Sequence, residues 1–306
     1  MNKANERKEE QSPTQLNLDG DPADLSRPWE PFKKIPIHLF GTNKTTVHDH
    51  RERKCGRRYV TSGNCLDPVR GCSGGKTNQG HGCWWGCYAK EASLRFHRLF
   101  DAPVSMILNE ARLTKELAKL DDEWIRIGVN GDPCFDWNLT ERVAKIVSNN
   151  RKISVIVTRF WTRPDSEILD GLSDEGVHLH GTLCAFDSEW HRRMSTNILR
   201  DYSLIGGVSK IRLVTFAFKR NSDLWKTQRR LAAGFDVIEQ PARVLRTNPI
   251  WNYLDAFRYN PHKSYVSGKK DARRLTAGPL YPDEYLSCDS ICPVCIHKCG
   301  TQRIKH

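Results

Sequence analysis

Eleven cysteines are spread unevenly along this chain of 306 residues, and two tight groups hold most of them. Cys72, Cys83 and Cys87 form the first group, inside a glycine-rich segment. The second group lies near the C-terminal end and consists of Cys288, Cys292, Cys295 and Cys299. Thiolates this close together suit a soft metal centre, either an iron–sulfur cluster or zinc, or else they form disulfides.

Composition favours metal binding over disulfides. Residues 1–30 are polar and lack the apolar core of a secretion signal, so we predict a disordered tail and a cytoplasmic protein, where thiols stay reduced. No apolar run approaches the length of about 20 residues that crosses a bilayer, so we expect no membrane partner. The net charge of +12 and the pI of 9.2 make nucleic acid a candidate partner.

The first cysteine group lies in a segment whose glycines let the backbone wrap closely around an inorganic cluster. Three cysteines, rather than four, suggest a cluster with one coordination position left open for a ligand. The alternative is a zinc knuckle in which Cys55 or Cys65 supplies the fourth ligand.

The elements that must position these cysteines alternate between short apolar runs and amphipathic stretches. We predict strands at residues 35–40, 124–129, 153–158, 177–183, 211–218 and 235–239. We predict helices at residues 102–120, 139–149, 166–172, 188–200 and 224–233. This alternation indicates an α/β fold with a parallel sheet and right-handed crossovers. A barrel, a partial barrel and an open doubly wound sheet all fit the pattern.

The cysteine-rich loop resembles the cluster loop of the radical SAM superfamily, in particular the branch of spore photoproduct lyase and its relatives. That loop reads roughly NPYRGCxHGCxYCYA, and this chain has DPVRGC at residues 67–72, HGC at 81–83 and CYA at 87–89. The spacing departs from the family's usual C-x3-C-x2-C, because here it is C-x10-C-x3-C. The resemblance implies a partial (β/α)6 barrel of parallel strands over residues 31–240, with the cluster loop at 65–90 and a cysteine-rich extension at 241–306.

The resemblance also implies residues that bind S-adenosylmethionine at later strand ends. Asn130, Gly131 and Asp132 stand where the superfamily has a GGE-type motif for the amino group. Thr158 ends the next strand, and candidates for contacts to the ribose and the methionine carboxylate are His180 and Thr182. Ordinary structural roles remain open for these residues: Asp132 could cap a helix after a turn, and either of the last two could pack in the core.

Two further cysteines are candidate catalytic residues, because spore photoproduct lyase-like enzymes use a cysteine as hydrogen donor. Cys134 and Cys184 lie at the ends of predicted strands. A buried free cysteine is also common as a simple packing residue.

The C-terminal cysteine group begins with the C-x3-C-x2-C spacing of a radical SAM loop, but only seven residues follow Cys299, too few for a barrel. We therefore predict an auxiliary iron–sulfur cluster, a second 4Fe–4S cluster, with ferredoxin-like spacing. The alternative is a structural zinc site that uses Cys299 or His297 as fourth ligand.

The resemblance therefore implies a radical SAM enzyme. A 4Fe–4S cluster on Cys72, Cys83 and Cys87 would cleave S-adenosylmethionine reductively, with an electron from a donor such as flavodoxin or ferredoxin, and the radical formed would abstract hydrogen from substrate. Nucleic acid or a nucleotide derivative is the favoured substrate class. The alternatives are a radical SAM enzyme acting on a peptide or protein, and a non-catalytic zinc-stabilised nucleic-acid-binding protein.

Overall fold

The protein is described here by a computed structural model. The structure describes residues 29–41, 45–48, 57–60, 64–77, 84, 87–120, 123–234, 236–245, 249–255 and 274–276. The predicted N-terminal tail lies almost wholly outside these residues, as do Cys55 and Cys83. The predicted auxiliary cluster also lies outside them, with its ligands Cys288, Cys292, Cys295 and Cys299.

Strands and helices alternate through most of the described chain. The strands are β1 (Phe40–Gly41), β2 (Thr45–His48), β3 (Arg57–Val60), β4 (Asn64–Leu66), β5 (Val69–Arg70), β6 (Val104–Ser105), β7 (Trp124–Ile127), β8 (Ile153–Thr158), β9 (His178–Cys184), β10 (Val208–Thr215), β11 (Val237–Pro241), β12 (Arg243–Leu245) and β13 (Arg274–Thr276). The α-helices are α1 (Gly74–Thr77), α2 (Tyr88–Arg95), α3 (Glu110–Leu117), α4 (Trp137–Asn149), α5 (Ser166–Asp174), α6 (Glu189–Leu204) and α7 (Asp223–Ala232). Two 3₁₀ helices span Pro133–Phe135 and Pro249–Tyr253.

The main sheet has seven strands in the order β1-β4-β7-β8-β9-β10-β11. β1 pairs antiparallel to β4, and the six strands from β4 to β11 are parallel. Their spatial order follows their order in the chain, whereas a doubly wound sheet reverses direction at a switch point. The predicted α/β class with a parallel sheet is therefore confirmed, and the strand order is compatible with a partial barrel.

One face of the sheet packs against the helices. Leu179 and Leu183 of β9 belong to the main core, together with Ile198 and Leu199 of α6. A methyl group added at Gly181 would lie 2.8 Å from Leu199, so β9 and α6 are in close contact at this glycine. Burying each large aliphatic side chain contributes about 1.5–3 kcal/mol, which makes this layer the main source of stability.

Local capping explains where the helices begin. Asp136, Asp165, Ser188 and Ser222 precede α4, α5, α6 and α7, and each side chain accepts a hydrogen bond from a backbone N–H in the first turn. Such caps satisfy donors that the helix itself leaves without a partner. At α5, for example, Asp165 accepts this hydrogen bond from Ile168 N at 2.9 Å.

Two predicted elements are wrong in extent. The strand predicted at residues 35–40 is absent before β1 begins, and an isolated bridge joins Pro36 to Ile107 there. Proline has no backbone N–H to donate, so it cannot take part in the regular hydrogen bonding between two strands. The helix predicted from residue 102 begins at Glu110, after the Asn109 cap. Residues 104 and 105 pair with β5 instead. In the described part of the chain, every helix is too short or too polar to cross a membrane.

Candidate functional site

The carboxyl ends of parallel strands meet at one edge of the sheet, which is where barrel enzymes place ligand contacts. β4, β7, β8 and β9 are neighbours in this sheet, so the segments that follow them converge there. These segments contain Cys72, the 130–132 loop, Arg159 and Asp187. Residues from four separate parts of the sequence therefore form one site.

Asp67 joins the segment after β4 to the segment after β7. Its carboxylate accepts hydrogen bonds from Val129 N at 2.7 Å and from Asn130 Nδ2 at 2.7 Å. The Asn130 N–H also donates to it at 3.2 Å. Burial raises the pKa of Asp67, and these hydrogen bonds act in the opposite direction because they favour the charged form. Asp67 thereby holds Asn130 beside the cysteine loop.

The backbone of the cysteine loop runs directly against the 130–132 loop. Gly71 N donates to Asn130 O at 3.1 Å, and Asp132 N donates to Gly71 O at 3.2 Å. A Cβ at Gly131 would come within 2.4 Å of Val69 O, so only glycine allows this approach. Two segments that the sequence analysis assigned to metal and to S-adenosylmethionine are thus in contact.

Cys72 and Cys87 belong to one side-chain cluster. Cys72, Ala89 and Phe100 form its buried centre, and the partly buried Cys87 and Trp84 pack against it. Cys72 is 9% exposed, and its N–H donates to Phe100 O at 2.7 Å. The structure therefore brings together the two described cysteines of the first group. The third, Cys83, lies outside the described residues.

The environment of Cys87 carries donors suited to a sulfur ligand. Its Sγ accepts a hydrogen bond from Lys90 N at 3.4 Å, in the first turn of α2. Burial raises the pKa of the Cys87 thiol, while this N–H, that of Ala89, and the positive charges of Lys90 and Arg159 act to lower it. A bound metal ion would add a further charge that stabilises the thiolate.

Trp161 connects the end of β8 to the cysteine loop. A Cβ at Gly74 would lie within 2.4 Å of three indole atoms, so only glycine allows the backbone to approach the ring this closely. The indole ring also contacts His191, and the centroids of the two rings are 4.5 Å apart. The preceding residue, Phe160, is buried and has φ of +53°, a strained conformation for a bulky side chain. This sharp turn lets Trp161 reach back to the loop.

Asp132 accepts three hydrogen bonds from neighbouring segments. Thr158 Oγ1 donates to Oδ1 at 2.6 Å, Arg159 N donates to Oδ2 at 2.9 Å, and Cys134 N donates to Oδ1 at 3.1 Å. Asp132 is also the N-cap of the 3₁₀ helix Pro133–Phe135. The capping role considered from sequence is therefore present, and the same carboxylate ties β7 to β8.

A buried ion pair lies beside this network. Arg159 Nη2 donates to Asp187 Oδ1, with side chains that are 10% and 1% exposed. The other oxygen of Asp187 accepts from Cys184 N at 2.7 Å, and Arg159 Nη2 lies 4.0 Å from Cys184 Sγ. This pair was not predicted from sequence, although opposite charges after consecutive strands were a usable signal.

The two candidate catalytic cysteines are both about 1% exposed. Burial and the nearby Asp132 charge hold the pKa of Cys134 well above its usual value, so this thiol stays protonated near neutrality. Cys184 ends β9, next to the Arg159–Asp187 pair. Both thiols therefore lie at the same sheet edge as Cys72.

The remaining candidate ligands are distributed along their strands. Thr158 ends β8 at the site itself. His180 and Thr182 lie in β9, four and two residues before its carboxyl end. They lie on the same face of the sheet as Cys184, further from the edge that carries the candidate site. His180 is fully buried, whereas Thr182 is half-buried.

Comparisons with known proteins do not assign this site. Neither a protein-family model nor a curated protein matches the chain. Within the described residues, no set of three or more His, Cys, Asp and Glu side chains is arranged to hold a metal ion.

Proposed function

We propose that the protein is a radical SAM enzyme, built on a partial (β/α)6 barrel and acting in the cytoplasm. The observation that carries this proposal is the joint position of Cys72 and Cys87. They share one side-chain cluster after the first parallel strand, and the backbone of this loop is hydrogen-bonded to the 130–132 loop after the second. A cluster ligand set and an S-adenosylmethionine site must be adjacent in this way for the two to react.

The donor set fits an iron–sulfur cluster. Cys72 and Cys87 are thiol ligands in an apolar pocket, and backbone N–H groups of α2 point at Cys87 Sγ. Hydrogen bonds of this kind to cluster sulfurs tune the potential of iron–sulfur centres. Cys83, which lies between the two in the sequence, would complete the set.

When bound, a 4Fe–4S cluster would supply the electron that cleaves S-adenosylmethionine. The chain would hold the cofactors in position. Asn130 and Gly131 lie against the cysteine loop and present polar backbone groups to that side of the site. Trp161, Phe135 and Trp84 surround the cysteines and exclude water, which a reactive organic radical requires.

Cys134 and Cys184 are candidate hydrogen donors in this proposal. A hydrogen-atom donor has to be a protonated thiol, and burial keeps Cys134 in that form. Both side chains are shielded from solvent at the correct edge of the sheet. The C-terminal cysteine group would hold a second cluster, and a flavodoxin or ferredoxin would supply electrons.

The deciding experiment is anaerobic reconstitution with iron and sulfide, followed by reduction with dithionite in the presence of S-adenosylmethionine. We expect a brown protein with about eight irons per chain, the content of two four-iron clusters, and release of 5′-deoxyadenosine. Cys72→Ala or Cys87→Ala should abolish this release and remove about four irons.

Cys65→Ala provides the matched control. Cys65 is fully buried and lies in β4, only seven residues before Cys72 in the chain. In the proposed enzyme its substitution leaves iron content and cleavage intact. In the zinc-knuckle alternative it removes a ligand. A colourless protein with stoichiometric zinc, from which Cys65→Ala releases metal, would refute the proposal.

A further inference from the structure

Two tryptophans at the turn after β8 use their indole N–H groups differently. Trp137 Nε1 donates a hydrogen bond to Thr162 O at 3.1 Å. Trp161 Nε1 is buried as well, but it has no hydrogen-bond partner among the described residues. Nearly all buried donors in folded proteins have a partner, because burial takes away the hydrogen bond to water. The N–H group of Trp161 therefore needs a function.

The ring contacts of Trp161 explain the aromatic side chain and leave its N–H group unexplained. The ring packs against Gly74 of the cysteine loop and against the ring of His191. On a further side, Arg159 Cζ lies over the indole, 5.4 Å from the ring centroid, in a cation–π contact. A phenylalanine ring could make contacts of these kinds without burying a donor. Packing by itself thus favours an aromatic residue at this position but not an indole.

The carboxylates of the candidate site already accept other donors. Asp132 accepts hydrogen bonds from the end of β8 and from the 3₁₀ helix Pro133–Phe135. Asp187 accepts from Arg159 Nη2 and from Cys184 N. Neither carboxylate is bonded to Trp161. The network that ties the strands together is therefore complete without the indole N–H.

We propose that Trp161 donates its indole N–H to a hydrogen-bond acceptor of S-adenosylmethionine and so positions this ligand beside the cysteine loop. The hydrogen bond forms when the ligand binds, and it satisfies a donor that the protein itself leaves buried without a partner. Naming the ligand rests on the proposed function. The assignment of the N–H group to a bound ligand rests on its burial without a partner.

The position of Trp161 fits this role. Its side chain packs against the cluster that contains Cys72 and Cys87. It follows Thr158, the last residue of β8, by three positions, at the carboxyl edge where parallel sheets bind their ligands. A ligand that contacts the cysteine loop at this edge would lie next to the indole ring. The methionine carboxylate is the expected acceptor, because hydrogen bonds to charged oxygens are the strongest.

Two Trp→Phe variants compare the two N–H groups in the full chain without ligand. Each substitution removes one N–H group and the same ring atoms. Trp137→Phe also breaks a hydrogen bond and leaves Thr162 O without this donor. We therefore expect Trp137→Phe to lower the midpoint of urea unfolding by about 0.3–0.5 M more than Trp161→Phe does, which corresponds to one buried hydrogen bond.

Ligand binding provides the second measurement. The full chain is reconstituted anaerobically and dialysed against S-adenosylmethionine without reductant, so that binding is measured in the absence of cleavage. Trp161→Phe should weaken binding about tenfold, the effect of one lost hydrogen bond to a charged group. Trp190→Phe is the matched control, because Trp190 is 69% exposed on α6. Its affinity should equal that of the wild type.

Decarboxylated S-adenosylmethionine identifies the acceptor. If the carboxylate accepts the indole N–H, the wild type and Trp161→Phe should bind this probe with equal affinity, because the acceptor is missing in both cases. A difference of about tenfold that persists with this probe would assign the hydrogen bond to the ribose or the adenine.

Equal affinity of Trp161→Phe and the wild type for S-adenosylmethionine would overturn the proposal, and a water molecule as the partner of the N–H would give this result. An equal loss of stability in Trp161→Phe and Trp137→Phe would also overturn it, since the N–H would then have a partner within the protein. Both failures leave reductive cleavage by the wild type intact. If the proposed function fails, the wild-type chain itself neither binds nor cleaves S-adenosylmethionine, and both proposals are overturned.

Discussion

Replacing Asp132 tests whether its carboxylate is structural or reserved for a ligand. The side chain is 6% exposed and accepts hydrogen bonds from Thr158 Oγ1, Arg159 N and Cys134 N at 2.6 to 3.1 Å. Asp132→Ala removes all three acceptor contacts and leaves a hydroxyl and two backbone N–H groups buried without them.

The expected loss follows from these contacts. A hydrogen bond to a charged group contributes about 1.5–3 kcal/mol, and bonds to one carboxylate are not additive. Asp132→Ala should therefore lower the free energy of unfolding by about 3–5 kcal/mol, which is typical of breaking a buried polar network. Asp132→Asn should lower the free energy of unfolding by about 2–3 kcal/mol. The asparagine oxygen still accepts hydrogen bonds, but the asparagine NH₂ group faces the Arg159 N–H, which then has no acceptor.

Urea unfolding followed by circular dichroism measures this effect, with binding of S-adenosylmethionine measured in parallel. Asp223→Ala is the control, since Asp223 is an exposed acid that pairs with Lys226 at 3.6 Å. Its unfolding midpoint should match that of the wild type. One ordinary hydrogen bond contributes about 1 kcal/mol net. The structural assignment would be refuted if Asp132→Ala lowered the free energy of unfolding by less than this and also abolished binding of S-adenosylmethionine.

Two further predictions concern the same site. Burial lowers the pKa of His191 below 6.5, so its contribution to stability is present above that pH and is lost as pH falls through the folded-state pKa. His191→Phe should consequently lose less stability than wild type between about pH 7 and 5 in urea unfolding, and a steeper loss would contradict this cause. Gly131→Ala should lower the free energy of unfolding by about 1–3 kcal/mol, because the added Cβ meets Val69 O at 2.4 Å. Gly176→Ala is the control, because a Cβ added there meets nothing within 4 Å. Similar cleavage of S-adenosylmethionine in both variants would show that the contact at Gly131 is dispensable for activity.

The elements with strong local patterns were predictable from sequence. Strand β8 has the predicted bounds, and helices α4 and α5 differ from prediction by only two residues at one end. Apolar periodicity and capping residues act within a few positions of one another, so sequence reasoning captures them. Strand β4, with three residues, carried too little periodicity to be found.

The cysteine loop shows where local pattern and tertiary structure divide. By itself, the sequence determined that Cys72 and Cys87 lie in one glycine-rich segment, and that Asp132 follows a predicted strand. Only the tertiary structure decided that this loop runs against residues 130–132, that Asp132 binds β8, and that Arg159 pairs with Asp187. These contacts join residues 25 or more positions apart, and they exist because β4, β7, β8 and β9 lie side by side in register. Strand order and register depend on the packing of the whole sheet, which no local pattern contains.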